Sequence, residues 1–104
     1  MDIETAANCL CELGNPHRLE AFRLLVRAGH EGLSVGAIQQ HLNIPKSTLS
    51  HHISHLVFAD LVRQRREGRT LICVANFELA ETLVAFLGEQ CCEGVSVVPS
   101  QEAV

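Results

Sequence analysis

The chain has 104 residues, 47% of them hydrophobic, and a formal net charge of −4. That length suits one domain around one core, which without Trp or Tyr and with only four Phe has to be mainly aliphatic. No apolar run approaches the roughly 18 residues of a membrane span, and residues 1–30 are too charged for a secretory signal. A cytoplasmic protein with no membrane partner is therefore expected.

Residues 3–13 predict a first helix, with Ile3, Ala6, Ala7, Leu10 and Leu13 on one side. Gly14 ends it, and Asn15-Pro16 restarts the chain as cap and first helical residue. The second helix runs to about Ala28 on a stripe of Leu19, Phe22, Leu25 and Val26. After the Gly29–Gly32 break, Ser34 caps a short third helix through Leu42, with Val35, Ile38 and Leu42 inward. Asn43-Ile44 makes a tight turn, and Pro45 opens a fourth helix.

That fourth helix, Pro45 to Val57, is the centre of the chain. Leu49, Ile53, Leu56 and Val57 form one apolar stripe. The opposite face carries Ser47, Ser50, His51, Ser54 and His55, with Lys46 and Thr48 at its start. Serine, threonine and histidine replace the Glu and Lys that an exposed helix normally uses, at some cost in helix propensity. Short hydroxyl and imidazole groups suit a helix that lies against a groove floor and hydrogen-bonds base edges or phosphates. An exposed helix of the same composition without DNA is the plainer alternative. His51, His52 and His55 include a metal-like i, i+4 spacing, but on a DNA-facing helix they read as DNA contacts. Two short helices joined by so tight a turn form a helix-turn-helix.

Beyond Asp60 the periodicity shortens. Residues 61–66 and 69–74 read as two strands with Glu67-Gly68 as the hairpin turn, and Arg63, Arg65, Arg66 and Arg69 crowd its tip. The plain reading is a charge-blunted hairpin. Directly after a helix-turn-helix, it reads better as a wing whose arginines reach phosphates or a narrow minor groove. The charge distribution agrees. Residues 46–69 carry five cations against two acids, whereas residues 70–104 carry five acids and no Lys or Arg. DNA affinity follows a local patch, not the total.

Asn76 caps a last helix from Phe77 to about Cys92, with Ala80, Leu83, Val84, Leu87 and Cys91 as its stripe. A small winged helix cannot bury this stripe and that of the first helix alone, so a homodimer through both is expected. The fold class is mainly α with a small β-hairpin, a winged helix-turn-helix. Residues 1–93 form the DNA-binding and dimerisation domain, and 94–104 a flexible tail.

This order of elements, with L-G-N-P-H-R-L-E-A-F-R-L-L at 13–25, S-T-L-S-H-H-I-S-H-L at 47–56 and D-L-V-R-Q-R-R-E-G-R at 60–69, resembles the ArsR/SmtB family of bacterial repressors from about Leu10 to Cys92. The resemblance implies a homodimer that blocks double-stranded operator DNA until an inducer binds each subunit. The family's thiol site on the helix before the reading helix is absent, because that segment is V-G-A-I-Q-Q-H-L. Its Asp/His/Glu zinc site on the last helix is absent too, since residues 77–92 hold no His or Asp. Cys91-Cys92 is similar to members that answer trivalent arsenic, and Cys73 together with that pair resembles the subset favouring methylated arsenicals.

Chemistry supports the same assignment separately. A chain kept in the reducing cytosol, with an odd count of five cysteines, argues against a disulfide framework. Soft thiolates select thiophilic ions. Trivalent arsenic, as arsenite or methylarsenite, and antimonite take up to three sulfurs in a pyramid, for which Cys73, Cys91 and Cys92 are the candidates; no organic cofactor is expected. Cys73, in an apolar strand, also reads as a small buried hydrophobe. Cys9 and Cys11 point to different faces of their helix; one suits a dimer seam, and either could add a thiolate from a partner chain. The expected function is a metalloid-released repressor, not an enzyme. A redox- or persulfide-responsive repressor is the alternative on the same scaffold. A small thiol reductase is disfavoured because the pair lacks a neighbouring base or C-x-x-C spacing and sits between the acids Glu89 and Glu93.

Overall fold

The computed structural model describes residues 1–96. Its elements are α1 (Ile3–Leu13), α2 (Pro16–Ala28), a 3₁₀ turn (Gly29–Glu31), β1 (Leu33–Ser34), α3 (Val35–Leu42), α4 (Lys46–Phe58), β2 (Val62–Glu67), β3 (Thr70–Ala75) and α5 (Phe77–Gly88). The expected tail, 94–104, lies outside the described residues from 97 onward.

Helix boundaries follow local chemistry. Asp2 accepts from the Thr5 N–H, and Asn15 Oδ1 accepts from the N–H groups of His17 and Arg18. The turn between α3 and α4 closes because Asn43 adopts a left-handed conformation (φ 54°, ψ 48°), which asparagine tolerates best among non-glycine residues. The Gln39 amide then holds the Ile44 carbonyl at 3.2 Å. Asn76 works at the other end of the reading unit. Buried, it caps α5 through Oδ1 and donates from Nδ2 to the Asp60 carbonyl at 2.8 Å, tying the α4–β2 junction to the start of α5.

Leu25, Ile38, Leu49, Leu56, Leu61 and Val62 are fully buried and fill the space between α2, α3, α4 and the sheet. Complete burial of such a side chain contributes about 1.5–3 kcal/mol, so these residues set the angle at which α4 leaves the body. On α1, Ala6 and Cys9 face the core, while Ile3 and Leu10 stay exposed. Cys9 is thus a core residue, not part of a seam between chains; burial, and secondarily the charge of Asp60, pushes its thiol pKa up. On α2 the buried residues are Ala21, Phe22 and Leu25; Leu19 and Val26, expected in the stripe, are exposed.

Three expectations need correction. The hairpin is part of a three-stranded antiparallel sheet ordered β1-β3-β2, in which Leu33 pairs with Cys73 and Ser34 with Ile72. Two residues carry too little periodicity to announce a strand, and Ser34 also caps α3 by accepting from the Ala37 N–H. The hairpin register pairs Glu67 with Thr70, so the turn is Gly68-Arg69, one residue later than expected, with glycine in the left-handed position (φ 61°). The last helix stops at Gly88 instead of Cys92. Its final turn holds no cation, and Glu89 would meet the negative end of the helix dipole. Glu89 turns extended, and Gln90 and Cys92 take positive φ.

Candidate nucleic-acid interface and thiol pair

The core face of α4 is Leu49, Ile53 and Leu56, with Val57 partly buried. Packing against α2 and α3 therefore turns Lys46, Ser47, Thr48, Ser50, His51 and Ser54 outward, as expected, with His55 half-buried at the edge. No side chain caps the helix at Pro45, and its first turn contains no acid. The free N–H groups and the positive dipole end there suit an anion such as a phosphate. Ser54 spends its hydroxyl hydrogen on the Ser50 carbonyl at 2.9 Å, leaving its oxygen's acceptor capacity outward.

His52 departs from the sequence expectation. It is buried, and its Nδ1 lies 3.4 Å from Arg18 Nη1 with His17 beside it, so it faces α2 and not DNA. Arginine can only donate, so Nδ1 accepts and the ring is neutral. Burial first, and the charge of Arg18 second, lower its pKa from the ordinary 6.5. The unfolded chain therefore takes up this proton before the folded chain does. Stability contributed by the neutral ring is complete above about pH 6.5 and is lost as pH falls below it. Thermal melts between pH 7.5 and 5.5 should show a steeper loss for the wild type than for His52→Gln. Parallel pH curves would contradict this placement.

The wing arginines divide by role. Arg65 donates from Nη1 and Nη2 to the His30 and Glu31 carbonyls at 2.8 and 2.9 Å and from Nε to Glu67 at 3.0 Å. It clamps the wing to the 3₁₀ turn while its side chain stays 44% exposed. Arg63 pairs with Asp60 at 3.5 Å. Among the described residues Arg66 and Arg69 have no acidic partner, and Arg69 stands in the turn at the tip. Nothing in the residue pattern announces this division, because the clamp is formed by backbone carbonyls 34 and 35 positions away.

One further contact joins α1 to α4, and it continues into a contact within α4. His55 Nδ1 is 2.9 Å from Glu12 Oε2, and His55 Nε2 is 3.1 Å from His51 Nε2. The Glu12 contact is short but poorly aligned as a hydrogen bond, so Oε2 remains buried without a well-directed donor among the described residues. Glu12 also lies 3.8 Å from Arg18.

The three candidate thiols are not gathered in one chain. Cys73 is fully buried in mid-sheet, its Sγ 3.6 Å from the Gln64 amide, and burial, only partly offset by that hydrogen bond, pushes its pKa up. Cys91 and Cys92 lie beyond α5, both exposed, with their sulfurs 3.3 Å apart. Among the described residues, no three His, Cys, Asp or Glu side chains converge as a metal-holding group. The thiol pair fits one thiophilic atom bridging two sulfurs. A third sulfur requires Cys73 to move or the exposed Cys11 of α1 to be recruited.

Residues 13–65 match the family model described as a helix-turn-helix domain. The chain is 37% identical over 70 residues to the nodulation protein NolR of Rhizobium meliloti, a match covering 67% of this chain and 55% of that protein's length. It is 37% identical over 65 residues to the HTH-type transcriptional regulator MJ1325 of Methanocaldococcus jannaschii, covering 62% of this chain and 71% of that one. Among solved structures, the transcriptional repressor BigR from Xylella fastidiosa aligns with a TM-score of 0.63 at 32% identity, covering 83% of this chain and 85% of that one. An ArsR-like transcriptional regulator from Rhodococcus sp. RHA1 shares the fold at a TM-score of 0.75 and 19% identity, covering 86% of this chain and 82% of that one. No helix among the described residues is long and apolar enough to cross a membrane.

Proposed function

This chain belongs to a helix-turn-helix family of DNA-binding transcriptional regulators; we propose that it is an ArsR-type repressor that binds operator DNA as a homodimer and releases it when a trivalent metalloid bridges Cys91 and Cys92. The observation that carries the DNA reading is the outward Ser/His face of α4, together with the exposed wing residues Arg66 and Arg69, which no acid engages among the described residues.

The homodimer is supported by what the monomer leaves uncovered. Ile3 and Leu10 on α1, and Val84 and Leu87 on α5, are 71, 42, 72 and 60% exposed, on two helices that touch each other. A second copy covering both helices would bury this surface and set two reading helices about a two-fold axis, matching a palindromic operator.

The inducer reading is supported by the paired exposed sulfurs. Two thiols can each displace a hydroxyl from arsenite or methylarsenite, forming two As–S bonds and releasing two waters. The pair follows directly on α5, so closing a ring there bears on the helix of the proposed seam and shifts the dimer toward a spacing that no longer fits the operator.

The test is fluorescence anisotropy of the protein on its own promoter DNA, titrated with arsenite, methylarsenite, antimonite, zinc and peroxide. Release by a trivalent metalloid alone is expected. Release by peroxide alone would replace the metalloid with a redox signal, and absence of a DNA complex would overturn the repressor reading. In the same assay, Arg66→Ala/Arg69→Ala should weaken binding to every sequence alike. It should also flatten the slope of log K against log salt by about two, near 0.9 for each phosphate that is no longer neutralised. An unchanged slope would remove the wing from the interface.

A further inference from the structure

We propose that His51 and His55 form a binding site for one divalent transition-metal ion (zinc, cobalt, nickel or copper) on the outer face of α4, with Glu12 of α1 orienting His55 from behind. The site is separate from the thiol pair, and the protein's own ligands are nitrogens.

Geometry carries the proposal. One turn apart on the helix, the two rings stand nearly perpendicular, at 82°, with their Nε2 atoms 3.1 Å apart. Two imidazole nitrogens bound at about 2.0–2.1 Å to one zinc ion stand roughly 3.0–3.4 Å apart. The chain thus already holds both donors at chelating distance. The separation also suits one N–H···N hydrogen bond between the rings, and replacing that bond with a metal requires only that the His51 proton move to Nδ1.

Glu12 supplies the second observation. Metal-bound histidines characteristically present their other ring nitrogen to a carboxylate, which fixes the tautomer and raises ligand basicity. His55 Nδ1 meets Glu12 Oε2 at 2.9 Å, and the Glu12 side chain is only 16% exposed. Its Oε2 is buried and lacks a well-aligned donor. A cation on the far nitrogen of His55 makes the Nδ1–H more positive and gives that buried anion a stronger partner. Ser54 and Phe58 border the same shallow hollow, which leaves room for waters to complete the coordination.

The ion would occupy the edge of α4 that is proposed to meet DNA, so metal and operator should exclude each other. This consequence rests on the DNA-reading role of α4; the site itself does not.

The experiment is a cobalt(II) titration of the Cys91→Ser/Cys92→Ser chain at pH 7.5, without DNA, followed by visible absorption. One cobalt per chain is expected, with ligand-field bands and no sulfur-to-cobalt charge transfer. Binding should vanish in His51→Gln or His55→Gln, weaken about 10-fold or more in Glu12→Gln, and persist in His41→Gln. No cobalt binding, or binding undiminished in His51→Gln and His55→Gln, would overturn the site. His51 is exposed on its helix, so its variant reports on ligation even if Glu12→Gln fails to fold. Operator DNA should then weaken cobalt binding. Undiminished cobalt affinity on a bound operator would overturn the competition, whereas failure to bind DNA at all would count against the repressor reading alone.

Discussion

Gly32→Ala is expected to lower stability by about 3 kcal/mol, a fall in Tm of roughly 15 °C for a domain of this size. Two costs combine. Gly32 sits at φ 67°, ψ −168°, a conformation that essentially only glycine adopts. A Cβ there would overlap the Cys73 carbonyl oxygen and lie within 2.9 Å of methyl groups on Val74 and Ile72. The carbonyl cannot yield without breaking the β1–β3 pairing, so β1 would separate from the sheet and the carbonyls that hold Arg65 would loosen with it. Gly29→Ala is the internal control: Gly29 has φ 72°, ψ −157°, and open space around the added Cβ. It should show the backbone cost without the clash. Equal thermal shifts for the two variants would refute the close-approach argument.

Cys91→Ser/Cys92→Ser should retain full DNA affinity and lose all release by trivalent metalloids, an all-or-none change in the anisotropy titration. Both thiols are exposed and remote from the core, so their removal costs little stability. Cys73→Ser tests the third ligand. The serine hydroxyl would be buried where Gln64 meets Cys73, so a modest loss of stability is expected. Loss of release in that variant, at a temperature where it is folded, would mean that β3 gives up its thiol on induction. Normal release by Cys73→Ser, with loss in Cys11→Ser, would move the third sulfur to α1. Normal release by the Cys91→Ser/Cys92→Ser chain would remove the metalloid site from this thiol pair.

The reading helix was legible because its pattern is local. Leu49, Ile53 and Leu56 repeat at helical spacing, and the polar residues between them can only face out once that stripe is buried. Caps at Asn15, Ser34 and Asn76 are likewise decided within three residues of their own positions. Where local terms are weak and nearly balanced, the pattern does not decide. The end of α5 depended on the sum of weak terms, a glycine, a missing cation and a nearby acid, with no tertiary contact strong enough to extend it.

Sequence alone therefore determined the helix-turn-helix, its outward Ser/His face, the basic wing and the adjacent thiols, because periodicity, capping and covalent adjacency act over a few residues. Only the tertiary structure decided which of those polar groups are free. It turned His52 toward Arg18, engaged Arg65 with the 3₁₀ turn, buried Cys73 in mid-sheet and brought Glu12 beneath His55. Each of these depends on chain segments far apart in sequence meeting at a particular distance. Packing of the core fixes such distances, and no local pattern encodes them.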